Sequence, residues 1–394
     1  MAVLGDGLGT GAGDAAGGGP RRILVVNAGS SSLKLRLLDG TDALVASADL
    51  PAVRGATDAR LVADAVAGWG GEPIDAVGHR VVHGGTAFTE PVRVDERVLA
   101  RLVALTDLAP LHQPKSLAAL AAVDAVLPDV PAVACFDTAF HATLPAAAST
   151  YALPAQWRQR WDLRRYGFHG LSHAYSSRRA AVLCGRGGDP AFRVVTCHLG
   201  AGASLAAVMG GRSVDTTMGF TPLEGLVMAT RSGTVDPGLV LWLAEHVGMP
   251  PAELAATLEH RSGLLGLAGT DDMRAIVAGA EAGEAGHRLA LDVYLHRLRG
   301  LVAAMVASLG GLDALVFTGG VGERAPVIRA LAADGLGFLG VALDPTANGA
   351  PGDGDREITG AGSAVRSFVV PAREDLEIAR EVRATLGSEG SRPG

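Results

Sequence analysis

Two arginines sit among residues too small to crowd them: Arg80 in Gly78-His79-Arg80-Val81-Val82-His83-Gly84-Gly85, and Arg231 in Thr230-Arg231-Ser232-Gly233-Thr234. A guanidinium is a planar fork of donors that matches a carboxylate or a phosphate. On a strand, Arg80 and Val82 share a face, so a charged head and a small apolar wall point to one place. That pairing suits a short carboxylate. For Arg231 the competing use is a surface ion pair. Asp137 closes the apolar run VPAVACF, where a carboxylate can hold Mg²⁺, orient a reacting group or cap a turn. His169, in Tyr166-Gly167-Phe168-His169-Gly170, is a candidate donor to a transferring phosphoryl group, with a purely structural histidine as the alternative. His79 and His83 stand four apart, a metal-ligand spacing on a helix only; the strand pattern around them predicts structural roles.

Two small-residue loops follow apolar strands. In Asn27-Ala28-Gly29-Ser30-Ser31-Ser32-Leu33-Lys34 a glycine permits a tight turn with converging N–H groups, and hydroxyls add donors for phosphate oxygens. His198-Leu199-Gly200-Ala201-Gly202-Ala203-Ser204 repeats the design, with Gly200 and Gly202 allowing close approach and His198 at the strand end. An ordinary hairpin turn is the plainer account of each; their repetition favours a nucleotide held between two phosphate loops. The sequence GxxxxGK[ST] occurs nowhere, so neither is a Walker loop. Asp272 and Glu374 are single acidic residues to which composition gives little weight.

These loops need elements to hold them. ILVVN from Ile23 and LKLRLL after the first loop read as a hairpin, and VVTCHL from Val194 and SLAAVM after the second read as another, so the chain is internally duplicated. Leu291, Leu295, Leu298, Val302, Met305 and Leu309 keep helical spacing up to Gly310-Gly311, and the strand DALVFTGGVGE follows. Alternating strands and helices define an α/β protein. At 394 residues two domains with a cleft between them are expected: 21–140, completed by a C-terminal helix over about 375–394, and 141–374. Residues 1–20, rich in Gly and Ala, read as a disordered leader. The net charge of −7 and pI near 5.9 argue against nucleic-acid or anionic-membrane binding. Three scattered cysteines and no long apolar run fit a cytoplasmic protein.

Taken in order, NAGSSSLK, GHRVVHGG, LAPLHQP, FDTAFH, YGFHG, HLGAGAS, MGFTPLEG and FTGGVGE closely resemble the acetate kinase family, over about Ile23 to Ala379. The resemblance implies the duplicated actin-like ATPase (ribonuclease H-like) fold, a homodimer, and reversible transfer of the ATP γ-phosphate to acetate, giving acetyl phosphate and ADP with Mg²⁺ (or Mn²⁺). Propionate kinase and a nucleotide-binding homologue without turnover remain the alternatives. By matching position, the resemblance implies that Asn27, Ser30, Ser32 and Lys34 form the first phosphate loop. Arg80, Arg231, Asp137 and His169 would serve phosphoryl transfer, with Asn27 and Glu374 at the metal. Val82, Leu111, Phe168 and Pro222 would line the acyl pocket, and His198, Gly200, Gly202, Asp272, Arg274, Gly320 and Val321 would serve the nucleotide. The sequence departs from the family pattern at Ala201, Arg324 and Gln113, where Asn, Asn and Asn are usual; Ala201 removes an amide from the phosphate side.

Overall fold

A computed structural model describes residues 20–29, 32–51, 58–71, 73–108 and 113–389. The expected leader up to residue 19, Ser30, Leu111 and residues 390–394 of the expected C-terminal helix lie outside them. The fold rests on two six-stranded sheets. The first, in the order β3-β2-β1-β4-β6-β5, comprises β1 (Ile23–Ala28), β2 (Ser32–Leu38), β3 (Leu44–Pro51), β4 (Ala76–Val81), β5 (Val92–Arg93) and β6 (Ala132–Phe136). The second, in the order β11-β12-β10-β7-β8-β9, comprises β7 (Arg193–Leu199), β8 (Ala203–Met209), β9 (Arg212–Thr216), β10 (Ala314–Thr318), β11 (Arg356–Glu357) and β12 (Arg366–Val369). Both contain an antiparallel meander, β3-β2-β1 or β9-β8-β7, continued from its inner strand by two parallel strands, β4 then β6 or β10 then β12. The sequence duplication is therefore a duplication of topology.

Alternation along the strands decides which residues reach the site. Ile23 and Val25 of β1, Ala76 of β4, and Val133 and Cys135 of β6 are buried against Ile378, Ala379 and Val382 of the C-terminal helix Glu374–Glu389. Leu24, Val26 and Val77 face the other layer, with Ala119, Ala122 and Val123 of the helix Gln113–Asp124. Further along the first face come Asn27 and Asp137, two residues past Val25 and Cys135, and Arg80, four past Ala76. The C-terminal helix lies so close to β4 that a Cβ on Gly78 would stand 2.4 Å from Ile378 Cγ2 and 2.8 Å from Val382 Cγ2. Glycine there lets Glu374, in the first turn of that helix, meet the strand ends.

In the second sheet Val195, Cys197 and Leu199 of β7 pack with Leu315 and Phe317 of β10 against the helix Ala285–Leu309. Its Leu291, Leu295, Leu298, Val302, Met305 and Leu309 are all buried, and Gly310 ends it in the left-handed region at φ 67°. The opposite face of β7 and β8 carries Thr196, His198 and Ser204, each hydrogen-bonded to the helix Gly170–Leu183 or to His169 at its N-cap.

Candidate functional site

Parallel strands deliver side chains at their C-terminal ends, and here three neighbours do so together. Arg80 on the middle strand donates from Nε and Nη2 to the two oxygens of Asp137 at 3.0 and 2.6 Å, and from Nη1 to Asn27 Oδ1 at 3.1 Å. The Asn27 amide in turn donates to Glu374 Oε2 at 2.8 Å, and that oxygen is 3.7 Å from Arg80 Nε. Three of the five guanidinium N–H groups are thus taken among the described residues, which leaves two for an incoming anion. Burial works against the Arg80 charge, but Asp137 and Glu374 outweigh it and raise its pKa. Burial also disfavours an ionised Glu374, yet Arg80 and the Asn27 amide help to hold its carboxyl below the usual range. Lys34 pairs with Asn27 across the hairpin and adds a further positive charge near Glu374. Ser32 closes the loop by accepting from Gly29 N–H at 2.8 Å.

The second group of residues is tied to the first through Asp137. Its carbonyl accepts from Gly170 N–H at 2.9 Å, and a Cβ on Gly170 would lie 2.1 Å from that oxygen, so only glycine lets the helix start this close. His169, immediately before, adopts φ 57°, an uncommon conformation for a side-chain-bearing residue and one that gathers at functional sites. Its Nδ1 is 2.9 Å from Ser204 Oγ, and its ring stacks on His198 with centroids 4.3 Å apart. Burial first, then His198, Arg80, His173 and Arg231, push its pKa well below 6.5. The ring is neutral at pH 7. Arg231 donates from Nε to Glu259 Oε1 at 3.1 Å, and both side chains are largely buried; this is no surface ion pair. A Cβ on Gly202 would be 3.3 Å from His169 Nε2 and 3.4 Å from Arg231 Nη1, so histidine, arginine and glycine loop converge on one point.

Beside them opens a cavity of about 600 Å³ lined by Gly200, Asp272, Arg274, Gly320, Val321 and Tyr294 among others. Asp272 caps its helix by accepting from Arg274 N–H and pairs with the Arg274 guanidinium at 2.9 Å. His198 stands at the edge of this cavity, since a Cβ on Gly200 would be 3.8 Å from His198 Nε2 and 3.9 Å from Gly320 N. Ala201 and Arg324, two of the departures, line the same cavity. Of the acyl-pocket candidates, Val82 and Phe168 belong to one apolar cluster and the Pro222 carbonyl is 3.5 Å from Arg231 Nη1. β4 ends at Val81, so Val82 is the first residue beyond the strand. His79 and His83 are buried, and His83 Nδ1 accepts from Gly85 N–H at 2.8 Å.

Sequence reasoning missed Glu259, which nothing in the local pattern marks, and Thr196 and His173. The last two left a faint signal: Thr196 is two residues before His198 on a strand, and His173 is one helical turn after His169. Among the described residues no three His, Cys, Asp or Glu side chains form a metal site. What Asp137 and Glu374 offer is hard carboxylate oxygen, and a Mg²⁺ taken up through one or two carboxylates plus substrate phosphates asks for no more. The residues fit.

The Acetokinase family profile matches residues 69–380. An acetate kinase of Gloeobacter violaceus is 53% identical over 312 residues, 78% of this chain and 76% of that protein. One of Leifsonia xyli subsp. xyli is 47% identical over 388 residues, 91% of this chain and 97% of that one. Among solved structures, Porphyromonas gingivalis acetate kinase superposes with a TM-score of 0.84 at 34% identity, covering 93% of this chain and 99% of that one. A propionate kinase from Francisella tularensis subsp. tularensis gives 0.85 at 35%, covering 91% and 98%. Two sheets of repeated topology and these superpositions define the duplicated actin-like ATPase fold. Within it, the chain belongs to the acetokinase family.

Proposed function

We propose that this protein is a carboxylate kinase that transfers the γ-phosphoryl group of ATP to acetate, reversibly, giving acetyl phosphate and ADP. The observation that carries the reading is the convergence of His169, Arg231 and the Gly202 loop on one point, with Arg80 close enough for its charge to act on His169. A carboxylic acid has a reference pKa of about 4, so the substrate arrives ionised and needs no general base. An acetate oxygen attacks the γ-phosphorus in line while the bond to the β,γ-bridging oxygen breaks, and ADP leaves with that electron pair. The free N–H groups of Arg80 and Arg231 receive the carboxylate and the equatorial oxygens. His169 Nε2 meets the transferring group, and catalysis rests on positioning and charge stabilisation.

Asp137 acts through Arg80, whose fork it fixes, and Glu259 acts likewise on Arg231. Asn27 and Glu374, with Asp137 nearby, would hold Mg²⁺, which supplies charge neutralisation at the β- and γ-phosphates when bound. The nucleoside takes the cavity lined by Asp272, Arg274, Gly320 and Val321, with Gly200, Gly202 and His198 on the phosphate side. Lys34, Ser30 and Ser32 serve the first loop. Val82, Phe168 and Pro222 form the acyl wall, to which we assign Leu111 by its matching position in the family. The division we propose puts 21–140 and the C-terminal helix in one domain and 141–374 in the other, closing over the substrates to exclude water.

A homodimer is supported by the helix Pro237–Glu245, none of whose residues is buried and whose Leu239, Leu241 and Trp242 face outward. Free Cys135, Cys184 and Cys197 suit a reducing cytoplasm. The test is hydroxamate trapping of acyl phosphate from Mg·ATP with acetate, propionate and butyrate in parallel. Product with acetate foremost supports the reading. A preference for propionate would reassign the substrate, a discrimination of one methylene worth about 1–3 kcal/mol, and ATP binding without product from any acid would sink it.

A further inference from the structure

Behind His169 runs a chain of buried hydrogen bonds that the reaction itself does not require. Thr196 Oγ1 is 2.7 Å from His173 Nδ1, His173 Nε2 is 2.8 Å from Ser204 Oγ, and Ser204 Oγ is 2.9 Å from His169 Nδ1. Thr196, His173 and Ser204 are wholly buried. We infer that Thr196, His173 and Ser204 are positioning residues that fix the tautomer of His169, so that its Nε2 carries the proton and faces the cleft as a hydrogen-bond donor. The inference rests on the kinase reading only for the use made of that donor.

The direction follows from counting protons. His169 and His173 are both neutral, since burial first and then neighbouring charges push them well below 6.5, so each ring carries one N–H. Three arrangements satisfy the three contacts. In one, Thr196 O–H donates to His173 Nδ1, His173 Nε2–H donates to Ser204 Oγ, and Ser204 O–H donates to His169 Nδ1; every buried proton has an acceptor, and the His169 proton is left on Nε2. In the second, every bond is reversed, the His169 proton sits on Nδ1, and the Thr196 hydroxyl proton must find an acceptor elsewhere; in the third, Ser204 Oγ accepts from both His173 Nε2–H and His169 Nδ1–H, and its own hydroxyl proton must find an acceptor elsewhere. Among the described residues neither Thr196 Oγ1 nor Ser204 Oγ has a hydrogen-bond partner outside this chain of bonds. Leaving a buried hydroxyl unsatisfied is disfavoured, so the first arrangement prevails. It presents an N–H, and not a lone pair, to the point shared with Arg231 and Gly202, as an anionic phosphoryl group demands. A lone pair there would repel the group that Arg231 attracts.

The experiment is long-range ¹H–¹⁵N NMR on enzyme labelled with ¹⁵N-histidine, with His169 assigned by loss of its signals in His169→Gln, alongside kinetics of Thr196→Val and Thr196→Ser. We expect the Nε2–H pattern for His169 in the native enzyme. Thr196→Val, which is isosteric but lacks the hydroxyl, should admit the Nδ1–H tautomer and lower kcat by about two- to tenfold with little change in KM, and Thr196→Ser should restore both. A native His169 in the Nδ1–H form overturns the inference, even if no variant folds. So does Thr196→Val with the native tautomer and native kcat. Absence of acyl phosphate from the native enzyme would count against the kinase reading alone, because the spectrum does not depend on turnover.

Discussion

Replacing Gly78 by alanine tests whether the seating of the C-terminal helix sets the geometry of the site. The new methyl carbon would stand 2.4 Å from Ile378 Cγ2 and 2.8 Å from Val382 Cγ2. Carbon atoms pack at roughly 3.5 Å or more, so strand and helix must part by about 1 Å. Forcing a methyl group into a packed layer of this kind costs about 1–3 kcal/mol. Glu374 lies one turn before Ile378, so the same displacement stretches its 2.8 Å bond from Asn27 and its approach to Arg80. A misplacement of ~1 Å can lower turnover by roughly 10²-fold. The assay is acyl phosphate formation as a function of Mg²⁺, paired with urea unfolding. We expect a lower unfolding midpoint, a lower kcat and a higher half-saturating Mg²⁺. Ile378→Leu moves the branch away from Gly78 at constant volume, and in the double variant it should recover part of each loss as a coupling between the two sites. Native turnover in Gly78→Ala, at whatever stability, would refute the link between helix seating and site.

Glu259→Ala frees the Arg231 guanidinium from a charged hydrogen bond worth about 1.5–3 kcal/mol. We therefore expect kcat/KM for acetate to fall roughly 10- to 100-fold, less than in Arg231→Ala; native kinetics would mean that Arg231 is held by something else. Asp137→Asn breaks a largely buried ion pair with Arg80 and should lower stability by about 3–5 kcal/mol in urea unfolding along with turnover, and a neutral outcome would remove Asp137 from the positioning of Arg80. His79, His83 and His141 are pushed by burial down to about 4. Their contribution is complete above the unfolded value near 6.5 and is lost as pH falls through 4. Glu381, pushed by burial up to about 7, works the other way, its contribution being complete below about 4.5 and lost as pH rises through 7. Three groups against one predict a Tm that falls from pH 6.5 towards 4, and more steeply in Glu381→Gln; a flat profile would contradict these burial effects.

What could be read from the sequence was local. Hairpins and their glycine loops declare themselves through alternation and turn chemistry, and Asn27, Arg80, Asp137, His169 and His198 each sit at a strand end or helix start. The long helix ending at Gly310 followed from spacing alone. Contacts across the fold left no such trace. Glu374 meets Asn27 at a separation of 347 residues, and composition gave it little weight; only the likeness to a family drew attention to it. Gly78 looks like a strand irregularity until the C-terminal helix is laid across it. Arg231 was ambiguous between fork and ion pair; the structure pairs its Nε with Glu259 and sets its Nη1 3.4 Å from a Cβ built on Gly202. Two expected residues, Ser30 and Leu111, lie outside the described structure.

The site is also notable for how little net positive charge it holds. Arg80 and Arg231 face Asp137, Glu374 and Glu259, two cations against three carboxylates, and Lys34 brings the sum to zero. Both histidines nearest the transfer point have their pKa values pushed down and add nothing at pH 7. A pool of bare cations would bind substrates, products and unrelated anions alike, and such uniform binding does not raise kcat. Carboxylates placed behind each guanidinium cancel its long-range attraction while fixing the direction of the N–H groups that remain. In the proposed reaction, those groups act fully only when the phosphoryl oxygens spread between His169, Arg80 and Arg231. On the proposed reading, Asp137 and Glu259 belong to catalysis without having to touch a substrate, and a lysine at position 80 or 231, which has no fork to be held from behind, would not replace either arginine.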